Sequence, residues 1–263
     1  MSAPVLEVQE LSRRFGGLLA LDQVSFAVQP GEIFGLIGPN GAGKTTLFNL
    51  ISGVTPPSSG AVLWQGTPIT GRPPDQLNRL GLARTFQNLR LFEGLSVLDN
   101  LLVALHHHPR SSALDGLLSS GRHRRAEHQR LDVAWQLLEE LGLAELAERQ
   151  AGTLAYGDRR RLEMARALAT RPQLLLLDEP AAGLNPAEKE GLGQLIAGLR
   201  QRHQLTVLII EHHVPLLMRL CDRLAVLDFG VRIALGSPDQ VRQDPKVIEA
   251  YLGSGSNAAG DAP

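Results

Sequence analysis

The stretch Ile33-Phe34-Gly35-Leu36-Ile37-Gly38-Pro39-Asn40-Gly41-Ala42-Gly43-Lys44-Thr45 decides the fold of this chain. Its first five residues form an apolar run, and Gly38 to Thr45 matches the pattern G-x-x-x-x-G-K-[ST]. A strand that leads into such a loop and then a helix forms a phosphate cradle, because glycines let backbone N–H groups surround phosphate oxygens. The pattern alone arises by chance in roughly one chain per hundred of this length.

Two side chains of this loop suit a nucleotide with its metal ion. Lys44 would supply a point charge to the β and γ phosphates, and Thr45 would hold Mg²⁺ through its hydroxyl. The loop residues that we expect to contact the nucleotide are Gly38, Pro39, Asn40, Gly41, Ala42, Gly43, Lys44, Thr45 and Thr46.

An acidic pair, Asp178-Glu179, ends the apolar run Leu174 to Leu177. We interpret the run as a strand buried on both faces, which would hold the carboxylates rigidly beside the phosphate loop. Asp178 is then expected to bind Mg²⁺ and Glu179 to polarise the attacking water. Acidic pairs after strands also cap helices, but the phosphate loop upstream favours catalysis.

Length and composition indicate an ordinary globular chain. Its 263 residues allow one large domain or a core with a smaller insertion. Apolar residues make up 43% and charged residues 20%, which excludes disorder, collagen and coiled coil as descriptions of the whole. The net charge is -1, so no overall field attracts a polyanion, and we predict no nucleic-acid partner.

The sequence predicts neither export nor a membrane span. Cys221 is the single cysteine, which excludes an intramolecular disulfide and fits a reducing compartment. Met1 to Glu10 lacks a basic segment followed by an apolar stretch, so we expect no secretory signal. Apolar runs such as Val207 to Ile210 are far shorter than the roughly 18 residues of a transmembrane helix. We expect the chain to be soluble, or peripheral at most.

Strand and helix patterns alternate along the chain. The residues 88–152 read as a helical insertion, because apolar side chains recur at helical spacing until Gly142. The alternation elsewhere predicts an α/β core with a parallel sheet. The predicted strands are Val24–Val28, Ile33–Ile37, Ala61–Trp64, Leu174–Asp178, Thr206–Ile210 and Arg223–Leu227, and the clearest helices are Asp158–Ala169 and Ala187–Arg200.

Phosphate loops occur in kinases, GTPases, helicases and transporter motors, so other pieces must separate these classes. Gln87 follows a short apolar run and is suited to ligating metal or positioning water. Leu154 to Asp158 precedes a helix whose N-terminus either presents N–H groups to another phosphate or is simply capped. His212 follows a strand and could donate to the γ-phosphate, although a lone histidine there is usually structural.

These pieces, in this order, resemble the ATP-binding cassette (ABC) ATPase family over nearly the whole chain. The matching residues are the phosphate loop, Gln87, Leu154–Asp158, Asp178-Glu179, Asn185 and His212. More narrowly, the chain is similar to the ATPase subunit of branched-chain amino-acid importers. The strings behind this narrower resemblance are Arg14–Leu18, Arg84–Gln87, Leu154–Asp158, Ala181–Pro186 and Glu249–Gly253.

The resemblance implies a RecA-like P-loop NTPase core with a mostly parallel sheet, an N-terminal antiparallel β subdomain and a helical insertion. A single ABC ATPase domain is expected over residues 1–253. In it, 1–87 and 159–253 form the nucleotide-binding core with the β subdomain, and 88–158 form the helical subdomain with the signature motif Leu154–Asp158. Residues 254–263 lack periodicity and are expected to be a disordered tail.

The resemblance also implies an ATP hydrolase that works as a head-to-tail dimer, with ATP and Mg²⁺ as cofactors. Each ATP would lie between the phosphate loop of one subunit and the signature motif of the other. The implied catalytic residues are Glu179, His212, Gln87 and Lys44, and the implied metal ligands are Thr45, Gln87 and Asp178. Outside the phosphate loop, the implied nucleotide contacts are Phe15, Ala155, Tyr156, Gly157 and Asn185. Phe15 matches the aromatic that stacks on adenine, worth about 1–3 kcal/mol if values from single-stranded nucleic-acid sites transfer.

The implied partners are transmembrane permease subunits and a second ATPase subunit, either a related chain or a copy. An external solute-binding protein would act indirectly, and the chain would sit in the cytoplasm on the inner face of the cell membrane. The helical insertion would dock on the permease with Gln87 at the hinge, and closure on ATP would shift the permease between conformations.

Three residues depart from the general family pattern. Ala155 stands where the signature usually has serine, so a hydroxyl contact to the γ-phosphate is absent. Asn185 replaces an aspartate, which removes a charge and keeps hydrogen-bonding capacity. His213 stands where an acid commonly follows the switch histidine.

Alternatives to an amino-acid importer stay open from the sequence. They are an ABC ATPase for another solute such as an amide, urea or other amino acids, a non-transport ABC ATPase acting on nucleic acid or ribosomes, and a nucleotide-binding module without turnover. The intact Lys44, Asp178 and Glu179 speak against the last, and one cassette without a basic field speaks against the second. The basic, His-rich segment 106–130 is either a docking surface or a solvated face.

Overall fold

The computed structural model describes residues 3–87, 89–106 and 121–253. The chain forms two compact units. The first takes the residues up to Arg84 and those from Gln173 onward, and the second takes Thr85–Pro172. All strands of the described part lie in the first unit: β1 Leu6–Phe15, β2 Leu18–Val28, β3 Ile33–Ile37, β4 Ser59–Trp64, β5 Thr67–Pro68, β6 Leu82–Arg84, β7 Leu174–Asp178, β8 Thr206–Ile210, β9 Arg223–Asp228 and β10 Val231–Gly236.

The helices complete the element order. In the first unit they are α1 Lys44–Ile51, α2 Pro74–Arg79, α6 Pro186–His203, α7 Val214–Leu220, α8 Pro238–Gln243 and α9 Pro245–Gly253. In the second unit they are α3 Val97–Leu105, α4 Gly121–Glu140 and α5 Tyr156–Ala169, with 3₁₀ turns at Ala144–Leu146 and Ala151–Thr153.

The central sheet of the first unit has the strand order β10-β9-β3-β8-β7-β6. All neighbouring strands run parallel except β10, which pairs antiparallel with β9. Every residue of β3, β7 and β8 is buried, as expected for parallel strands with both faces covered. Their carboxyl ends therefore meet at one edge of the sheet, where the phosphate loop and the acidic pair begin.

The second sheet of this unit is antiparallel, with the order β2-β1-β4-β5. Both β1 and β2 bury part of their side chains in the core, and the Phe26 ring of β2 stacks on the Phe34 ring of β3 with centroids 5.1 Å apart. This contact joins the two sheets through one hydrophobic core.

The second unit is helical, and α5 packs against α3 and α4. The side chain of Ser96 caps α3, since its Oγ accepts a hydrogen bond from the Asp99 N–H at 2.9 Å. Gly142 follows α4 with φ +66°, the left-handed conformation that favours glycine after a helix.

The predicted fold class is confirmed: a mostly parallel sheet, an antiparallel β sheet and a helical unit are all present. The helical unit spans Thr85–Pro172 and includes α5, whereas the sequence assigned 159–253 to the core. The physical reason is that α5 packs against α3 and α4, and its apolar side chains Leu162, Ala165 and Leu168 are buried. The proposed tail 254–263 and His107 and His108 lie outside the described residues.

Strand β1 was not predicted, because irregular pairing hides its alternation. Its register with β2 shifts between Val8 and Leu11 and again near Arg13, so buried and exposed positions lose their period of two. Within the described ranges, no helix has the length and apolar character needed to cross a bilayer.

Candidate nucleotide-binding site

The loop between β3 and α1 depends on two glycines with little room for a side chain. Gly43 is the N-cap of α1 with φ +97°, and a Cβ there would lie 2.8 Å from the carbonyl oxygen of Ala20. Gly38 has φ +152°, and a Cβ there would collide with the carbonyl oxygen of Leu227. The sequence pattern thus reflects a backbone that only glycine can adopt so close to β2 and β9.

Lys44, the first residue of α1, is 5% exposed and lies inside the loop. Its Nζ donates to the carbonyl oxygen of Gly38 at 2.7 Å and to that of Pro39 at 2.9 Å. Burial lowers the pKa of Lys44, and the charge of Glu179 opposes this shift. The ammonium group is therefore held by its own loop and within the field of a catalytic candidate.

A cleft of about 530 Å³ opens in front of the loop. Phe15, at the end of β1, lines it with a half-exposed ring, and Arg13 lies 4.6 Å from the centroid of that ring. The residues that the sequence singled out and that line this cleft are Phe15, Asn40, Gly41, Ala42, Gly43, Lys44, Thr45, Thr46 and His212. Gly38 and Pro39 line an adjoining cavity of about 930 Å³.

Asp178 ends β7 and is 2% exposed. Its Oδ2 accepts a hydrogen bond from Nη2 of Arg84 at 2.7 Å. The other terminal nitrogen of Arg84, Nη1, donates to Asn49 of α1 at 2.8 Å and to Ser52, the C-cap residue of α1, at 2.6 Å. A buried guanidinium thus joins the acidic strand end to the helix that follows the phosphate loop.

Glu179 has φ +49°, a conformation that non-glycine residues rarely adopt, and its side chain is 11% exposed. Its Oε1 lies 2.7 Å from Nε2 of His212, at the end of the neighbouring strand β8. Because a carboxylate only accepts, this contact places the imidazole proton on Nε2. The two catalytic candidates therefore contact each other directly.

The residue Asn185 serves as the N-cap of α6. Its side-chain oxygen accepts from the Glu188 N–H at 3.0 Å, and Glu188 accepts from the Asn185 N–H at 2.8 Å. This reciprocal capping box engages the amide oxygen of Asn185, a residue for which the family resemblance implies a nucleotide contact.

In the helical unit, Ala155 is the N-cap of α5, and Tyr156 and Gly157 form its first turn. Arg160 of α5 is 4% exposed and donates to the carbonyl oxygens of Phe86 at 2.9 Å and Gln87 at 2.7 Å, and to the Tyr156 hydroxyl at 2.8 Å. The signature turn and the exposed Gln87 are therefore fixed to each other.

Glu163 completes this arrangement in the helical unit. Its carboxylate accepts from the Phe86 N–H at 3.0 Å and lies 3.4 Å from Nη1 of Arg160. Burial raises the pKa of Glu163, opposed by the Phe86 hydrogen bond and the charge of Arg160.

Sequence reasoning missed roles for four residues around the first-unit site. Arg84 ends β6 and Glu211 directly follows β8. A charged residue after an apolar run was a usable signal for both, but the sequence does not reveal their partners. Tyr251 of α9 is hydrogen-bonded to the Gly38 backbone, and burial raises its pKa. Phe229, in the β9–β10 turn, is 88% exposed and lines both cavities, and nothing in the local pattern indicated this.

Thr45 and Asp178 are the metal-ligand candidates of this unit. Hydroxyl and carboxylate oxygens are the donors that Mg²⁺ prefers, together with phosphate oxygens and water. Among the described residues, no group of three or more His, Cys, Asp or Glu side chains could hold a metal ion. The donor set thus fits a metal ion that arrives with phosphates, and Gln87 belongs to the other unit.

Two family models match the chain. The model described as ABC transporter matches residues 21–182, and the model described as branched-chain amino acid ATP-binding cassette transporter matches residues 231–256. The second match covers β10, α8 and α9, the segment that carries Tyr251.

Individual proteins are similar over almost their whole length. The high-affinity branched-chain amino acid transport ATP-binding protein LivG of Escherichia coli is 50% identical over 253 residues, 96% of this chain and 99% of LivG. BraF of Pseudomonas aeruginosa, named likewise, is 49% identical over 96% of this chain and 99% of BraF. The ADP conformation of MJ1267, an ATP-binding cassette of an ABC transporter, has a TM-score of 0.82 at 33% identity over 96% of this chain and 100% of that chain.

Proposed function

This chain belongs to the ABC transporter family, and we propose that it is the ATP-hydrolysing subunit of an importer for branched-chain amino acids. The observation that carries the cargo assignment is the 50% identity to LivG over nearly the full length of both chains. The separate match of residues 231–256 to the branched-chain amino acid family model supports it from the opposite end of the chain.

The first-unit cleft would bind ATP. The base would stack on Phe15, whose ring is half-exposed at the cleft wall. The loop N–H groups and the N-terminus of α1 would bind the phosphates. Lys44 would then exchange its two carbonyl partners for β and γ phosphate oxygens, because its short bonds already hold the ammonium inside the loop.

Hydrolysis would depend on the contact between Glu179 and His212. Glu179 would accept a hydrogen bond from the attacking water and take its proton as the water oxygen bonds to the γ-phosphorus, while the bond from that phosphorus to the bridging oxygen breaks and ADP leaves. His212 would donate to the γ-phosphate from Nε2, which in this structure lies 2.7 Å from Oε1 of Glu179. The same histidine would thus orient the base before the nucleotide enters and the phosphate afterwards.

Thr45 and Asp178 would hold Mg²⁺. The ion supplies charge neutralisation for the β and γ phosphates when bound. Arg84 would hold the Asp178 carboxylate in position, since the two groups form a buried pair at 2.7 Å.

The catalytic unit would be a head-to-tail dimer on the inner face of the cell membrane. Ala155, Tyr156 and Gly157 of one subunit would face the γ-phosphate bound by the other, and the second subunit is a related chain or a copy. Transmembrane permease subunits would dock on the helical unit, and an external solute-binding protein would deliver the amino acid. The differential affinity of the closed dimer for ATP would shift the permease between conformations.

The test is uptake of labelled leucine, isoleucine and valine by source cells that lack this chain. Wild type should restore uptake and Lys44→Ala should not, while Lys189→Ala, a change of lysine on α6, should restore it fully. Uptake of labelled urea and acetamide serves as the cargo control. Unchanged branched-chain amino-acid uptake in the deleted cells would refute the cargo assignment.

A further inference from the structure

The carboxylate of Glu211 joins the two loops that carry the catalytic candidates. Glu211 follows β8 directly and is 4% exposed. Its Oε1 accepts a hydrogen bond from the Ala181 N–H at 2.5 Å, and its Oε2 accepts from the His212 N–H at 3.0 Å. The His213 N–H points at the same Oε2 from 3.4 Å. One buried carboxylate thus accepts from backbone groups of both loops.

The loops that it joins also contact each other through the backbone. The Glu179 N–H donates to the carbonyl oxygen of Ile210 at 3.0 Å, and the Ala182 N–H donates to that of Glu179 at 3.2 Å. The Glu179 loop is therefore held by two hydrogen bonds. One runs from the Glu179 N–H to Ile210 of β8, and the other from the Ala181 N–H to the Glu211 carboxylate. The left-handed φ of +49° at Glu179 must be held by such surroundings, because an isolated glutamate disfavours it.

We propose that Glu211 is a positioning residue for hydrolysis, which holds the Glu179 and His212 loops at the separation that lets both side chains meet over the γ-phosphate. This inference rests on the proposed ATP hydrolysis. Hydrogen bonds from N–H groups to a carboxylate are roughly twice as strong as neutral ones, and a carboxylate can accept on both oxygens at once. A side-chain amide cannot accept at both positions, since its NH₂ group would face an N–H donor.

The role of Glu211 differs from that of a nucleotide ligand. Its carboxylate oxygens accept hydrogen bonds from backbone N–H groups, and the residue does not line the cleft that contains Lys44 and Phe15. Loss of the carboxylate should therefore change the chemical step and leave ATP binding intact. If Glu211 contributed only to general stability, its loss would not change the chemical step while leaving ATP binding intact.

The experiment compares Glu211→Gln with Glu32→Gln in the transporter complex, purified through a tag on the full-length chain. Glu32 is a matched control, since the residue is 5% exposed and its carboxylate accepts from the Gln29 N–H at 2.7 Å. It directly precedes β3, at the opposite end of that strand from the phosphate loop. For Glu211→Gln we expect kcat to fall at least tenfold with KM for ATP within twofold of wild type. For Glu32→Gln both constants should stay within twofold.

A double variant adds a second readout. Because Glu211 acts through the catalytic pair, adding Glu211→Gln to Glu179→Gln should lower kcat by less than twofold further. Equal losses of kcat in Glu32→Gln and Glu211→Gln, unchanged kcat, a proportional rise in KM, or full additivity with Glu179→Gln would each overturn the proposal. An inactive wild-type complex would instead contradict the proposed function.

Amide hydrogen exchange in the wild-type chain covers the case that Glu211→Gln does not fold. The Ala181 and His212 amides should exchange at least tenfold more slowly than exposed amides of the same loops. Exchange of both at the rate of those exposed amides would show that the carboxylate does not hold the loops, and would overturn the proposal.

Discussion

Oε1 of Glu179 and Nε2 of His212 lie 2.7 Å apart, although the two residues are 33 positions apart in the chain. They meet because β7 and β8 are parallel neighbours, with Asp178 paired to Ile210 at the ends of the strands. Each catalytic candidate follows its strand by one or two residues, so the sheet itself brings them together. The carboxylate and the imidazole are thus positioned as a pair before any nucleotide enters.

Glu179→Gln should bind ATP with affinity close to wild type and hydrolyse it about 10²–10⁴-fold more slowly, because the amide cannot take the proton of the attacking water. Single-turnover kinetics and equilibrium ATP binding measure the two effects separately. Glu190→Gln is the control, since that residue forms a surface ion pair with Arg219 at 2.8 Å. Turnover in Glu179→Gln equal to that of the control would remove Glu179 from the catalytic role.

Lys44→Ala should weaken ATP binding about 10- to 100-fold, the range expected when one charge-assisted hydrogen-bond donor is lost. The wild-type ammonium is buried and already directed into the loop by Gly38 and Pro39. Calorimetric titration with ATP and Mg²⁺ measures the change, and Lys189→Ala should bind like wild type. Equal affinity in both variants would argue against phosphate contact by Lys44.

Arg84→Met should lower the free energy of unfolding by about 3–5 kcal/mol, because it removes the buried guanidinium that faces Asp178. Arg79→Met is the control, since Arg79 lies 3.7 Å from Asp75 on an exposed helix surface and should cost less than about 1 kcal/mol. Denaturant unfolding of both variants measures the difference. A loss below 1 kcal/mol in Arg84→Met would show that the pair contributes little to stability.

Cys221 should make stability fall at alkaline pH. Burial raises the pKa of its thiol, with the charges of Asp222 and Glu32 acting in the same direction. The folded chain keeps the proton while the unfolded chain loses it above about pH 8.5, so this contribution is complete below that pH and is lost as pH rises. The free energy of unfolding should decrease by up to about 1.4 kcal/mol per pH unit from this group alone.

The variant Cys221→Ala isolates that contribution. Its free energy of unfolding, measured by urea denaturation between about pH 8.5 and 10, should fall less steeply than that of wild type by one proton equivalent. Cys221 of the folded chain should also resist iodoacetamide until urea unfolds it. Parallel pH profiles of the two proteins, or rapid alkylation of the folded chain, would contradict the buried thiol.

The sequence alone determined the phosphate loop, the acidic strand end and the α/β class, because each depends on local rules. Glycines at Gly38 and Gly43 reflect backbone conformations that other residues avoid, and the all-apolar runs of β3, β7 and β8 reflect burial on both faces. Such signals lie within about ten neighbouring residues, and the strands and the fold class that they predicted are confirmed.

The tertiary structure alone decided the partners of the charged residues. Arg84 reaches Asp178 across 94 positions, Glu211 reaches Ala181 across 30, and neither spacing leaves a periodic trace in the sequence. The tertiary structure also decided the place of β1, whose bulges disrupt the alternation, and of α5, which packs with the helical unit. A hydrogen bond needs only that two atoms come within about 3 Å, and strand order, not sequence distance, determines which atoms do so.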